Sequence, residues 1–307
     1  MVDFKALMKN KKKSLSQLTE EAKKTTGGGS YEADLRYWKP TRDKAGNGFA
    51  IVRFLPAGVN DPEDALPWVK YWEHAFKGPT GKWYIDLSRT SLGNNEPDPV
   101  SDANSNLWDT GLEDNKKIAR ERKRKLKYVS NILVLKDSAN PENEGKVFLY
   151  AYGAKIFGKL QEAMEPSFEG EKAINPFDMW EGANFKLKIK TINSDGAKMP
   201  NYDDSSFDNQ SPISDDDEEI EKIFNQTHSI TEIVAPDKFK PYDELKKRLI
   251  QVWPAGVEGV AQGPAPKATA EAPAQKSKAA PVDDDVPWAD DDDDDTGFFA
   301  NLADDDD

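Results

Sequence analysis

One short run holds much of the chain's positive charge. Residues 116–128 read KKIARERKRKLKY, with eight Lys or Arg and one acid, Glu121. So many like charges repel one another unless an anion neutralises them. Tyr128 ends the run and opens an apolar stretch. Cations beside an aromatic residue on a strand are typical of single-strand nucleic-acid sites, where Lys and Arg contact phosphates and bases stack on rings. The alternative interpretation is a solvated basic loop.

The chain as a whole is acidic, and its acidity lies at one end. The 307 residues carry a formal net charge of −14, yet thirteen Asp and no Lys or Arg follow position 282. The remaining 43 acidic and 42 basic residues nearly cancel. The acidic balance is therefore a property of the C-terminal tail and does not argue against an anion-binding body.

Several protein classes are disfavoured by the composition. The chain has no Cys, so disulfides and thiolate metal sites are excluded, and a reducing compartment fits. No apolar run approaches the roughly 20 residues of a membrane span, and no secretory signal opens the chain. There are two His, and no phosphate-binding loop, dinucleotide fingerprint or nucleophile elbow. We predict a soluble, intracellular protein that is not an enzyme.

The elements that would position the basic run are mostly strands. Short β-branched or aromatic stretches separated by turn residues predict strands at 49–56, 67–76, 81–87, 128–136, 146–153 and 184–192. Helical spacing predicts helices at 155–164, after an N-cap at Ser214, and at 241–253. We expect a mainly β fold with α-helices, its core an OB-type barrel with flanking helices.

Composition divides the chain into four parts. Residues 1–30 form a basic arm that ends in three glycines, and residues 31–253 form the core. Residues 254–282 are a linker rich in Ala, Pro and Gly, and 283–307 form an acidic tail predicted to be disordered. A tethered polyanion would compete with nucleic acid for the basic run, and a simple solubility device is the alternative.

Two acidic stretches could hold a metal ion, and neither makes a convincing site. DANSNLWDTGLE (102–113) places oxygen ligands at the first, third, fifth and twelfth positions of a calcium loop, but Leu107 replaces the required glycine. We predict a polar loop there. Asp203, Asp204 and Asp208 lack a partner motif, so we interpret them as solvated carboxylates.

Five blocks of sequence resemble the helix-destabilising, single-stranded-DNA-binding proteins of T4-type bacteriophages, the products of gene thirty-two. The blocks are AGNGFAIVRFLP (45–56), GKWYID (81–86), SNILVLKD with NPENEGKVF (130–148), WEGANFKLKIK (180–190) and NYDDSSFDNQS (201–211). They occur in the family's order, and a basic arm and an acidic tail flank them as in the family.

The resemblance implies an OB-type core with an inserted subdomain at about residues 67–125. It also implies a role in coating single strands cooperatively during phage DNA replication, recombination and repair, in the cytoplasm of the infected bacterium. By motif position, the residues that fall on the family's DNA contacts are Arg53, Lys123, Arg124, Lys125, Tyr128, Tyr150 and Tyr202. The family's basic motif for head-to-tail self-association corresponds here to Lys11, Lys12, Lys13 and Ser14.

The inserted subdomain departs from the family pattern. The family holds zinc there through one His and three Cys. His74 keeps its place, whereas Ser88, Asp98 and Ser101 stand at the cysteine positions. Because a hydroxyl is a poor zinc ligand, we predict no zinc and no other cofactor. We expect packing among Trp68, Trp72, Trp83 and Trp108 to stabilise this region instead.

The acidic tail carries two candidate docking peptides for phage replication and recombination proteins. One resembles the acidic tip of bacterial single-stranded-DNA-binding proteins and comprises Asp283, Asp284, Asp285 and Trp288. The other is FFANLADDDD (298–307), whose apolar members are Phe298, Phe299 and Leu302. Two alternatives to the DNA-binding interpretation remain at this point: an OB-fold protein that binds RNA, and an acidic chaperone or nucleic-acid mimic.

Overall fold

The computed structural model describes residues 34–254, except for 94–95, 169 and 195–196. A compact unit begins at Tyr37. The predictions for the arm, the linker beyond residue 254 and the acidic tail lie outside the described residues.

Nine strands and five α-helices make up the described part of the chain. The strands are Tyr37–Trp38 (β1), Gly48–Phe54 (β2), Val69–Lys77 (β3), Trp83–Leu87 (β4), Lys125–Asp137 (β5), Val147–Tyr152 (β6), Ala183–Ser194 (β7), Ala197–Asn201 (β8) and Ser206–Gln210 (β9). The helices are Pro99–Asp109 (α1), Glu113–Glu121 (α2), Ala154–Met164 (α3), Asp217–Phe224 (α4) and Tyr242–Val252 (α5).

Strand β5 is the centre of the sheet because three other strands pair with it. On one edge it pairs antiparallel with β6. On the other edge its first half pairs with β3, and its second half pairs with β2. Residues 130–134 of β5 are buried, which fits a central strand covered on both faces. The basic run therefore leads directly into the most heavily paired strand of the fold.

The sheet follows the order β1-β6-β5-β2-β7-β8, with β9 on β7 and β4 on β3. Only β1 and β6 are parallel among the described pairs. The predicted mainly β fold with helices is confirmed. The predicted barrel closure is not seen in the part of the chain that the structure describes, where the path is open between β1 and β8.

The main core lies on one face of this sheet and is rich in aromatic rings. Alternation puts Ala50, Val52 and Phe54 of β2 into it, and β7 contributes Phe185, Leu187 and Ile189. Helix α3 covers the core with Ile156 and Leu160. Phe54 contacts the rings of Tyr152, Phe177 and Phe185 edge-on at 5.7–5.8 Å. Such geometry stabilises ring pairs beyond simple burial.

The segment from β3 to α2 has a smaller core of its own, which a distant helix completes. Phe76, Tyr84, Val100 and Ala103 pack against the buried face of α5, formed by Leu245, Leu249 and Val252. The contact is close, since a Cβ on Gly78 would lie 2.1 Å from the Val252 carbonyl oxygen. Helix α5 thus fastens the end of the core to the predicted insert.

All six predicted strands and all three predicted helices are present, but two helices in the insert were predicted as loop. DANSNLWDTGLE spans the end of α1 and the start of α2. The missed signal was Asp98 followed by Pro99, because an acidic N-cap before a proline commonly starts a helix. The predicted N-cap Ser214 is also wrong: Asp216 caps α4, and Ser214 accepts a hydrogen bond from the Asp216 amide.

None of the helices within the described residues is long and apolar enough to cross a membrane.

We predict that Leu249→Ala lowers the free energy of unfolding by about 3 kcal/mol, because it leaves a cavity between α5 and the insert. The matched control is Ile250→Ala, one residue along the same helix. Ile250 is 44% exposed, whereas Leu249 is fully buried, so the control should change stability by less than about 0.5 kcal/mol. Urea titrations followed by circular dichroism measure both, and equal losses would contradict this account of α5.

Candidate nucleic-acid interface

The basic run crosses the junction between helix α2 and strand β5. Helix α2 ends at Glu121, Arg122 caps it, and β5 begins at Lys125. The side chains of Lys123, Arg124 and Lys125 are half-buried at this junction. The structure therefore brings together three of the seven predicted contact residues, in the short connection between α2 and β5 and at the first residue of β5.

Three arginines of this segment lie over tryptophan rings. The guanidinium of Arg120 is 5.4 Å from the Trp108 ring centroid, that of Arg122 is 5.1 Å from Trp253, and that of Arg124 is 4.3 Å from Trp72. Such contacts stabilise a cation on the ring face. Phosphate recognition uses the edge of a guanidinium, so stacking on an indole and binding a phosphate are compatible. The rings thus lie against cations that range from exposed, at Arg120, to fully buried, at Arg122.

A buried carboxylate lies beside the same cluster. Glu73 of β3 pairs in register with Lys125 and is almost fully enclosed. Burial raises the pKa of Glu73, and the charges of Lys127, Lys125 and His74 oppose that rise. The carboxyl group therefore lies where the charges of Lys125 and Lys127 favour its ionised form and burial disfavours it.

The predicted tyrosines lie in the main core. Tyr128, Tyr150 and Tyr202 are each no more than 7% exposed. Tyr128 stacks on Phe157 with 3.9 Å between ring centroids, and Tyr150 meets Trp38 edge-on at 5.3 Å. Their burial fits the alternative interpretation, that these are core aromatics, and does not favour base stacking in this conformation.

Arg53 is a cross-link inside the protein. Its guanidinium donates hydrogen bonds to the carbonyls of Asp178 (2.8 Å) and Ser211 (2.9 Å). Burial lowers the pKa of Arg53 to about 10, although the charge of Asp178 acts in the opposite direction. In this structure the side chain ties β2 to the loops beside β7 and β9, and its buried position does not favour a contact with DNA.

The cysteine-replacing residues form one buried hydrogen-bonded network centred on Asp98. Its Oδ1 contacts His74 Nε2 (3.1 Å) and accepts from the backbone amides of Val100 (3.1 Å) and Ser101 (2.9 Å). Its Oδ2 accepts from the Ser88 hydroxyl (3.2 Å) and the Arg89 amide (3.1 Å). The carboxylate thus joins the 3₁₀ turn after β4 to the start of α1 and to β3.

The same network extends to the basic run through His74. Its Nδ1 contacts the Arg122 carbonyl oxygen at 3.0 Å. Both of its partners are acceptors, so both ring nitrogens carry a proton when both contacts are made. Burial would raise the pKa of Asp98, but the charge of His74 and the hydrogen bonds from His74, Ser101 and Arg89 outweigh it and hold that pKa far below its usual value.

These residues do not fit the zinc that the family resemblance implies. Zinc needs an imidazole lone pair, whereas both nitrogens of His74 are engaged with acceptors. The Asp98 oxygens are occupied by five contacts, and serine hydroxyls are poor ligands. In the described part of the chain, no three side chains of His, Asp or Glu are grouped to hold a metal ion.

Of the four tryptophans expected to stabilise the insert, Trp68 packs elsewhere. Trp68 belongs to the main core, where it contacts Phe157 and Phe177. Trp72, Trp83 and Trp108 instead lie beneath cations at the surface.

Sequence reasoning also missed Glu73 and the role of Trp72.

We predict that a metal chelator leaves the thermal unfolding temperature unchanged, because the Asp98 network needs no metal. Asp98→Ala should lower the free energy of unfolding by about 3 kcal/mol, since it leaves His74 buried without its carboxylate partner. Asp109→Ala, at the exposed end of the same helix, is the matched control and should change it by less than about 0.5 kcal/mol. Calorimetry tests all three. Stoichiometric zinc, or equal stability of the two variants, would contradict the prediction.

Comparison with known proteins agrees with the motif resemblance. Residues 46–253 match the family described as gp32 DNA binding protein like. The chain is 39% identical over 263 residues to the single-stranded DNA-binding protein of Enterobacteria phage T4, covering 84% of this chain and 83% of that protein. It is 39% identical over 264 residues to the protein of the same name from Enterobacteria phage T2, with the same coverage. The chain therefore belongs to the gp32-like family of DNA-binding proteins.

Proposed function

We propose that this chain binds single-stranded DNA with little sequence preference, as a non-catalytic protein. The observation that carries the proposal is the junction of α2 and β5, where Lys123, Arg124 and Lys125 follow one another and Arg124 lies over the Trp72 ring. Cations fixed beside an aromatic face suit a flexible strand, whose phosphates and bases can both be reached. The relatives' shared name, single-stranded DNA-binding protein, supports this choice of ligand.

The biological role follows from binding the open strand better than the duplex. Such a protein coats and protects single strands and melts weak hairpins by mass action. We place this activity in phage DNA replication, recombination and repair, in the cytoplasm of the infected bacterium. In this proposal the segment of about 67–125 is a subdomain that presents the basic run. The run joins its last helix, α2, to strand β5.

The two ends of the chain are assigned separate tasks in this proposal. The arm, with Lys11, Lys12, Lys13 and Ser14, mediates cooperative self-association along the strand. The tail competes with DNA for the basic run and recruits replication and recombination proteins through its two acidic peptides. The basis for competition is charge: thirteen Asp and no Lys or Arg lie beyond position 282.

We expect Lys123→Ala/Lys125→Ala to flatten the dependence of log K on log salt concentration by about 1.4 for a single-stranded oligomer, because each lost phosphate contact removes about 0.7. The matched control is Lys222→Ala/Lys238→Ala. It removes two exposed lysines, one on α4 and one in the 3₁₀ turn before α5, and should leave the slope unchanged. Fluorescence anisotropy measures both. A slope that is the same in both variants would remove the basic run from the interface.

We expect truncation after residue 254 to tighten binding to single strands at low salt, because it removes the competing polyanion. The difference should shrink as salt rises, since the Debye length falls to about 8 Å at physiological ionic strength. Parallel titrations use duplex DNA and an RNA oligomer of equal length. A truncated core with no preference for single strands would exclude the DNA-coating role, and equal affinity for RNA would favour the RNA-binding alternative.

A further inference from the structure

Arg122 has a buried guanidinium whose hydrogen-bonding capacity is only partly used. The side chain is 0% exposed, and its Nε donates to Asn104 Oδ1 at 3.0 Å. Its two terminal nitrogens, Nη1 and Nη2, have no hydrogen-bond partner among the described residues. Buried polar groups of this kind are uncommon in folded proteins and call for an explanation such as a bound ion or ligand. The enclosed position lowers the pKa of Arg122 to about 10, while the charge of Glu121 opposes that change.

The group that covers this guanidinium is a tryptophan at the end of the last helix. The Trp253 ring centroid lies 5.1 Å from the guanidinium carbon, and the indole is itself half-buried. Trp253 also contacts Phe76 edge-on at 6.1 Å, and its amide caps α5 by donating to the Leu249 carbonyl at 2.7 Å. The ring face offers the cation some compensation but supplies no acceptor for Nη1 and Nη2.

The backbone holds Arg122 at the start of the proposed DNA-binding run. Its carbonyl accepts a hydrogen bond from buried His74, and the next residue is Lys123. A strand whose phosphates pass Lys123 and Lys125 therefore runs beside the backbone that carries Arg122. A phosphate supplies paired acceptors that match the two terminal nitrogens.

We propose that Arg122 is a phosphate-binding residue that Trp253 covers in the free protein, and that single-stranded DNA displaces the indole when it binds. This inference rests on the proposed function. It adds a phosphate-binding position, Arg122, that the Trp253 indole covers until DNA binds. Trp253 directly precedes the linker to the acidic tail. Displacement of Trp253 therefore links occupancy of the DNA site to the start of that linker. The cover also explains how the free protein retains a buried cation whose Nη1 and Nη2 have no hydrogen-bond acceptor among the described residues.

A double-mutant cycle in the full chain tests the cover. Trp253→Ala should bind oligothymidylate about tenfold more tightly with an unchanged salt slope, because the ring no longer has to be displaced. Arg122→Gln should flatten the slope by about 0.7, the loss of one phosphate contact. In the Arg122→Gln background, Trp253→Ala should give no further gain, since the cation that makes the cover matter is gone. Trp180→Ala, at a ring 55% exposed elsewhere on the surface, is the control and should change neither quantity.

A measurement on the chain without substitutions makes the test independent of the variants' stability. Fluorine NMR of 5-fluorotryptophan-labelled protein, with the Trp253 signal assigned through Trp253→Phe, reports solvent exposure through its isotope shift in heavy water. Oligothymidylate should increase that shift. The inference is overturned if the isotope shift of the Trp253 signal does not change on binding, or if Arg122→Gln keeps the full salt slope. If the full chain does not bind oligothymidylate at all, the proposed function fails as well.

Discussion

The double-sided pairing of β5 is the constraint on which the rest of the structure depends. A strand of thirteen residues that pairs with β6 on one edge, and with β3 and β2 in succession on the other, can shift register only by breaking three ladders. The position of Lys125 in space is therefore fixed by the core, not by local backbone preference. A basic segment whose charges repel one another is thus attached to a strand with which three other strands pair.

Several contacts hold the charged groups of this junction in place. Indole faces hold the arginines, buried Glu73 offsets the lysines, and His74 fixes the backbone at Arg122. The same contacts reduce the entropy that the side chains would lose on binding, because their positions are already restricted.

The Asp98 network is a polar cross-link at the positions where the family resemblance implies a zinc ion. Five contacts converge on one carboxylate, and they join the turn after β4, the start of α1 and strand β3. A zinc ion joins chain segments through directional bonds to a central charge, and here a carboxylate is the central charge and the surrounding groups are donors. The backbone amides at the start of α1 favour that negative charge further. The insert thus keeps a cross-link at the place where the family pattern has one.

The sequence alone predicted the strands from period-two apolar patterns. It predicted the main helices from apolar stripes such as the one at 155–164, and the family from the shared blocks. These signals are local, since each depends on a few neighbouring residues. The sequence also predicted Lys123, Arg124 and Lys125 as DNA contacts, and the structure places them side by side. Only the tertiary structure decided that Tyr128, Tyr150, Tyr202 and Arg53 are enclosed, because half-buried strands carry the same residue types on either face. It alone joined Trp253 to Arg122 and Trp72 to Arg124, since those pairs meet through strand register and the docking of α5, which no local pattern encodes.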